Sequence, residues 1–111
     1  MQVTWAEFEK IDIRVGSIIE VNDFPKARKP SYQMKIDFGQ ELGIKRSSAQ
    51  ITHLYEKEAL IGKQVIAVMN FPPKQIGPFI SEVLVLGAYD ETGQVILLRP
   101  DSNVSAGSRI G

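Results

Sequence analysis

The chain has 111 residues, 43% of them apolar, and its 13 basic residues balance 13 acidic ones. That length predicts a single domain over residues 1–111 with a core of its own, and no apolar run approaches the roughly 20 residues that cross a bilayer. The absence of cysteine excludes disulfides, thiolate nucleophiles and cysteine-based zinc sites.

A short helix is predicted at the N-terminus, because Thr4 followed by Glu7 fits a capping box. Trp5, Phe8 and Ile11 then fall near one side of that helix, and the indole needs a dry surface to cover it. These first residues lack the cationic start and apolar run of a secretory signal. We therefore expect a cytoplasmic protein without membrane insertion.

The first strand is predicted from Ile13 to Val21. Four apolar residues share its inward face: Ile13, Val15, Ile19 and Val21. Gly16 indicates a bulge or a sharp bend within the strand, as a barrel corner requires. Residues 22–31 then form a loop that contains two prolines and a cluster of cations.

Further strands follow along the chain. Residues 32–38 alternate cleanly between apolar and polar, and residues 44–51 form a weaker, more polar strand after a turn. Residues 52–61 look helical or turn-like, with Gly62 as the stop. Three more strands are predicted over 64–70, 80–88 and 95–98, with a hairpin turn at 90–93 between the last two. A short final strand is predicted over 104–110.

The connection over residues 71–79 is unusual in composition. Its three prolines keep it out of a central strand, because proline has no N–H to give to the ladder. Yet it carries Phe71, Ile76 and Phe79 beside one cation, Lys74. A stiff loop of this kind is typical of a ligand surface. The alternative is that these apolar side chains only pack onto the protein's own barrel.

The order of elements predicts an all-β fold. We expect a five-stranded Greek-key barrel of the oligonucleotide-binding (OB) type, with a short N-terminal helix, a short helix between strands 3 and 4, and extra C-terminal strands. In that barrel the first and fourth connections and the face between them bind ligands. Residues 22–31 and 71–79 are those connections, so they should meet at one rim. The helix and the extra strands either form a twofold homodimer or pack onto their own barrel.

Charge is unevenly distributed. Residues 26–46 hold six cations against two anions, although the pI of the whole chain is only about 6.6. General polyanion binders usually exceed a pI of about 9. The basic segment is therefore either a surface for a specific partner or a solvated face.

No catalytic site is predicted. His53 is the only histidine, and no nucleophile elbow, H-E-x-x-H, P-loop or dinucleotide fingerprint occurs. The acidic residues are scattered or sit beside cations. We expect a non-enzymatic binding protein with no metal and no cofactor.

Short motifs spread over nearly the whole chain carry a family resemblance. They are Asp12 to Gly16, Ile36 to Gly39, Leu60 to Lys63, and Phe8, Asn70, Lys74, Ile76, Gly77, Ser81, Glu82, Leu86 and Gly107. Together they resemble the tRNA-binding domain found at the C-terminus of some methionyl-tRNA synthetases and in stand-alone dimeric tRNA-binding proteins. Within this family the chain is most similar to the export-related bacterial chaperones. The resemblance implies an OB barrel, a homodimer through residues 1–12 and 88–111, and a ligand face near Asn70, Lys74 and Ser81.

Two functions stay open at this point. In the first, the protein is a chaperone that binds unfolded preproteins or peptides for export, with or without direct contact to the export machinery. Its peptide contacts would be Phe71, Ile76 and Phe79. In the second, it binds tRNA without a chaperone role. The nucleic-acid contacts would be Lys29, Lys35, Arg46, Ser48, Asn70, Lys74, Ser81 and Glu82, although Glu82 also fits a structural role in bonding the loop.

Overall fold

Nine strands and three short helices make up the fold in a computed structural model, which describes every residue from Met1 to Gly111. In chain order the elements are α1 Trp5–Glu9, β1 Ile13–Asp23, β2 Tyr32–Asp37, α2 Gly39–Leu42, β3 Ile44–Ala49, α3 Lys57–Leu60, β4 Gln64–Val68, β5 Lys74–Ile76, β6 Phe79–Ser81, β7 Leu84–Val85, β8 Gly87–Tyr89 and β9 Val95–Leu97. None of the helices is long and apolar enough to span a bilayer.

Five of the strands form an antiparallel sheet in the order β3-β2-β1-β4-β7, which curls into a nearly closed barrel. The predicted fold class is confirmed. The barrel interior is filled by apolar side chains, among them Ile18, Met34, Ile36, Phe38, Leu60 and Val65. Burial of each of these side chains stabilises the folded protein by about 1.5–3 kcal/mol.

The barrel closes between β3 and residues 81–83 through side chains as well as backbone. The backbone N–H of Arg46 donates to Glu82 Oε1 at 3.0 Å, and that of Ser48 donates to Ser81 Oγ at 3.1 Å. In return, the Glu82 N–H donates to the Arg46 carbonyl at 2.8 Å. Ser47 Oγ also donates to the Val83 carbonyl at 3.0 Å. We call this closure between β3 and residues 81–83 the seam.

The path of β1 differs from the prediction. The register against β2 slips between Ile18 and Glu20, so the bulge lies three residues beyond Gly16. Val15 and Ile18 are both buried although they are three residues apart, so the alternation already changes near Gly16. The extra residue changes it back before Val21 and leaves Ile19 43% exposed. The predicted inward position of Ile19 is therefore wrong. Gly16 has no room for a side chain, because a Cβ there would lie only 2.6 Å from both Ile36 and the Phe38 ring.

The predicted strand over 80–88 is also wrong, because the chain changes partners within it. β6 pairs with β5, β7 pairs with β4, and β8 pairs with β9. The loop over 71–79 accordingly contains a small hairpin, β5–β6. The hairpin between β8 and β9 is present as predicted.

The two ends of the chain differ in how they are held. The predicted capping box of α1 is confirmed: Glu7 N donates to Thr4 Oγ1 at 3.1 Å, and Thr4 N donates to Glu7 Oε1 at 2.9 Å. The Thr4 N–H and the Thr4 hydroxyl both donate to Glu7 Oε1, and these two bonds lower the pKa of Glu7. At the other end, the expected final strand is reduced to one bridge between Arg14 and Arg109. It continues the sheet beside the first residues of β1, where β2 does not reach.

Candidate ligand-binding clefts

The connections over 22–31 and 71–79 meet at one rim, as predicted. Phe24 from the first and Phe79 from the second pack with ring centroids 5.5 Å apart. Beside them lies a cleft of about 510 Å³ that both connections line. We call it the basic cleft, after its four cations Lys26, Arg28, Lys29 and Lys74.

The conformation of the first connection follows from its residues. Phe24 is buried, and its N–H donates to the Ser31 carbonyl at 3.2 Å, which closes the base of the loop. Pro25 and Pro30 restrict the backbone at both ends. The cations between them line the basic cleft.

The four cations of the basic cleft are unpaired. None of them has a carboxylate oxygen within 4.0 Å, and no aspartate or glutamate lines the cleft. Their mutual repulsion is relieved by solvent and salt alone. A group of cations without local anions is a favourable place for an anionic ligand.

A second cleft, of about 310 Å³, adjoins the first, and we call it the apolar cleft. Phe71 and Pro72 form one side of it, and Val83 and Leu84 contribute from the end of the seam. Phe71 is 51% exposed, so much of its ring is available to a ligand. The residues common to both clefts are Ser48, Gln50, Lys74 and Ile76.

Some polar side chains of this face form hydrogen bonds within the chain, and others do not. The side chains of Ser48, Gln50 and Lys74 make no hydrogen bond within the chain, whereas Ser81 and Glu82 are used by the seam. Asn70 is occupied too. Its Oδ1 accepts from Asp12 N at 2.9 Å and its Nδ2 donates to the Lys10 carbonyl at 2.7 Å. Asn70 thereby fixes the segment after α1, away from both clefts.

Lys35 and Arg46 lie apart from the two clefts just described. They line a smaller cleft of about 210 Å³ with Glu20. Lys35 Nζ is 3.6 Å from Glu20 Oε2, and Arg46 Nε is 3.3 Å from Glu82 Oε1. Both cations are therefore locally neutralised, unlike the loop cations.

Phe79 is mostly buried rather than displayed. It is 8% exposed, lies against Phe24, and has the Arg46 guanidinium 5.7 Å from its ring centroid. This position supports the rim and leaves little of the ring for a ligand. Among the predicted peptide contacts, the clefts thus bring together Phe71 and Ile76 but not Phe79.

Sequence reasoning missed part of the site. Gln50 and Pro72 line the clefts, and no sequence pattern distinguishes them. Lys26 and Arg28 belong to the predicted basic cluster but were not singled out as contacts. Their signal was their position between two prolines in the first connection.

The titratable groups do not indicate catalysis. Shifted pKa values occur at Glu7, Tyr32, Lys57 and Asp90, and none of these lines either cleft. Burial raises the pKa of Tyr32, and a hydrogen bond to Asp23 raises that of Lys57. No group of three or more His, Cys, Asp or Glu side chains is placed to hold a metal ion.

Comparison with known proteins identifies the family. The family model described as "Putative tRNA binding domain" matches residues 13–109. The chain belongs to this family. The methionine–tRNA ligase of Methanocaldococcus jannaschii is 36% identical to it over 109 residues, which are 98% of this chain and 16% of the ligase. The chain therefore spans only a small part of the ligase's length.

Two solved structures extend the likeness to the whole chain. The chaperone CsaA from Bacillus anthracis is 46% identical, with a TM-score of 0.94 and full coverage of both chains. The CsaA chaperone protein from Picrophilus torridus is 57% identical, with a TM-score of 0.93 and coverage of 99% of this chain and all of the other. The resemblance predicted from the sequence is confirmed.

Proposed function

We propose that this tRNA-binding-type domain acts as a chaperone that binds unfolded preproteins or peptides and keeps them competent for export. The observation that carries the proposal is the apolar cleft, where Phe71 presents about half of its surface to solvent. The similarity to two chaperones named CsaA supports the same function. An exposed aromatic ring on a proline-stiffened loop loses little entropy when a ligand covers it.

Binding in this cleft would be weak and reversible. A volume of about 310 Å³ accepts one or two apolar side chains of an extended segment. Burying them contributes about 1.5–3 kcal/mol each, from which the cost of immobilising the segment is subtracted. Weak binding suits a chaperone that must release its client. We place this activity in the cytoplasm, before export. The proposal holds with or without direct contact to the export machinery.

A matched pair of substitutions tests the chaperone function. Phe71→Ser removes an apolar side chain from the cleft, whereas Ile61→Ser removes one that is equally exposed (54%) but lies outside both clefts. We expect Phe71→Ser to weaken suppression of aggregation of an unfolded client, and Ile61→Ser to leave it unchanged. Circular dichroism checks that both variants are folded. Equal suppression by the wild type and both variants would reject the proposal.

The basic cleft favours a second function, the binding of tRNA. The supporting observation is that its four cations have no carboxylate partner. If all four contact phosphates, the logarithm of the binding constant should fall with the logarithm of salt concentration with a slope of about −3. A filter-binding series over several salt concentrations measures this slope. A flat response, or no binding at low salt, would reject this function.

We further propose a homodimer through residues 1–12 and 88–111, which include α1 and most of the β8–β9 hairpin. Trp5 and Tyr89 are 68% and 80% exposed in the single chain, which is unusual for side chains of this size. A twofold contact would cover both. Light scattering should report a dimer for the wild type and a monomer for Tyr89→Asp. A wild-type monomer at micromolar concentration would contradict this assembly.

A further inference from the structure

The two clefts are joined, and this constrains the ligand. They share the side chains of Ser48, Gln50, Lys74 and Ile76. A single ligand that fills both must place an anionic part among the cations and a flat or apolar part against Phe71.

We propose that the joined clefts bind an unpaired nucleotide segment of RNA, with its phosphates in the basic cleft and one base in the apolar cleft. This proposal rests on the tRNA-binding function and deepens it, because it names the part of the RNA that is recognised. The charge pattern points to phosphates. Four unpaired cations with no acidic residue among them suit consecutive phosphates of a backbone.

The apolar cleft has what a base requires. Phe71 offers an exposed ring face for stacking. The Gln50 amide carries both donors and an acceptor, the Ser48 hydroxyl adds another of each, and neither side chain has a partner within the chain. A base satisfies such groups with its edge while its face covers the ring. An aliphatic side chain of a peptide covers the same ring but makes no use of these polar groups.

A duplex does not fit this site. Its bases are stacked and paired, so their faces are not available to a side chain. The binding segment must therefore be single-stranded, or a loop or end from which a base can be turned outward.

The test uses an eight-nucleotide RNA that carries one 2-aminopurine, alone or annealed to its complement, together with full-length tRNA. Anisotropy measures affinity, and 2-aminopurine emission reports stacking. We expect the single strand to bind at least tenfold more tightly than the duplex, with a change in emission on binding. Phe71→Leu keeps the apolar volume but removes the ring, so single-strand affinity should fall about 5- to 150-fold. Ile61→Ser should change it less than twofold.

The possible outcomes separate this inference from the function on which it rests. If tRNA binds with the expected salt slope but the duplex binds as well as the single strand, the inference is overturned and tRNA binding stands. If Phe71→Leu binds the single strand like the wild type, the base is not on this ring and the inference is again overturned. If no RNA binds at low salt, both fall. If an unfolded client peptide binds the clefts while the single-stranded RNA does not, the clefts belong to polypeptide and the inference is overturned.

Discussion

Two sets of cations differ in what surrounds them. Lys35 and Lys57 each lie beside a carboxylate, at 3.6 Å from Glu20 and 2.9 Å from Asp23. Lys29 and Lys74 have no such neighbour and line a cleft without acidic residues. Because a paired cation has its field largely cancelled nearby, equal charges along the sequence do not give equal attraction for an anionic ligand.

This comparison predicts a large difference between two double variants that each remove two charges. Lys29→Gln with Lys74→Gln should reduce the salt slope for tRNA by about 1.4–1.8. At 0.1 M salt that corresponds to a loss of about 25- to 60-fold in affinity. Lys35→Gln with Lys57→Gln should lose several-fold less. Filter binding at several salt concentrations measures both, and equal losses would show that pairing is irrelevant.

Substitutions at two neighbouring serines can separate the contribution of the seam to stability from the contribution of the clefts to binding. Ser47 is buried and its hydroxyl donates to the Val83 carbonyl, whereas the Ser48 hydroxyl faces the clefts without a partner. Ser47→Ala leaves the Val83 carbonyl with only the 3.5 Å contact from Ser81 Oγ and should lower the free energy of unfolding by about 0.5–1.5 kcal/mol.

Ser48→Ala serves as the matched control. It should change the free energy of unfolding by less than about 0.5 kcal/mol. Urea denaturation measures both variants. If Ser48→Ala were the more destabilising of the two, the assignment of one hydroxyl to the seam and the other to the ligand face would be wrong.

The smallest expected effect lies outside both regions, in the turn between β8 and β9. Asp90 Oδ1 accepts from Thr92 Oγ1 at 2.8 Å and from Gln94 N at 2.9 Å. These bonds, that of Thr92 first, lower the pKa of Asp90 in the folded protein. A lowered pKa means that the ionised group stabilises the fold above its unfolded pKa of about 3.9, and that this contribution disappears as the pH falls through the folded value.

Asp90→Ala should therefore melt below the wild type at pH 7, and the difference should shrink as the pH falls below about 4. Thermal melts at pH 7, 4 and 3 follow it, while tRNA affinity at pH 7 stays that of the wild type. A difference that grows at low pH would contradict the sign of the pKa change.

The sequence allowed the barrel and the meeting of its two loops to be predicted, because both follow from alternation, turn residues and element order. It did not reveal which cations are paired. Lys35 meets Glu20 only across the β1–β2 register, and Arg46 meets Glu82 only across the seam. Ile19 was misplaced because a one-residue bulge leaves no sign in the pattern of residue types. Phe79 was predicted on the ligand face because the same apolar side chain can either pack a rim or contact a ligand.

The location of the ligand face is the central claim, and amide chemical-shift mapping tests it most directly. Isotope-labelled protein would be titrated with tRNA and, separately, with an unfolded client peptide. The account predicts that both ligands shift the amides of residues 26–29, 48–50 and 71–77. Shifts confined to α1 and the β8–β9 hairpin, with these three segments unchanged, would contradict it.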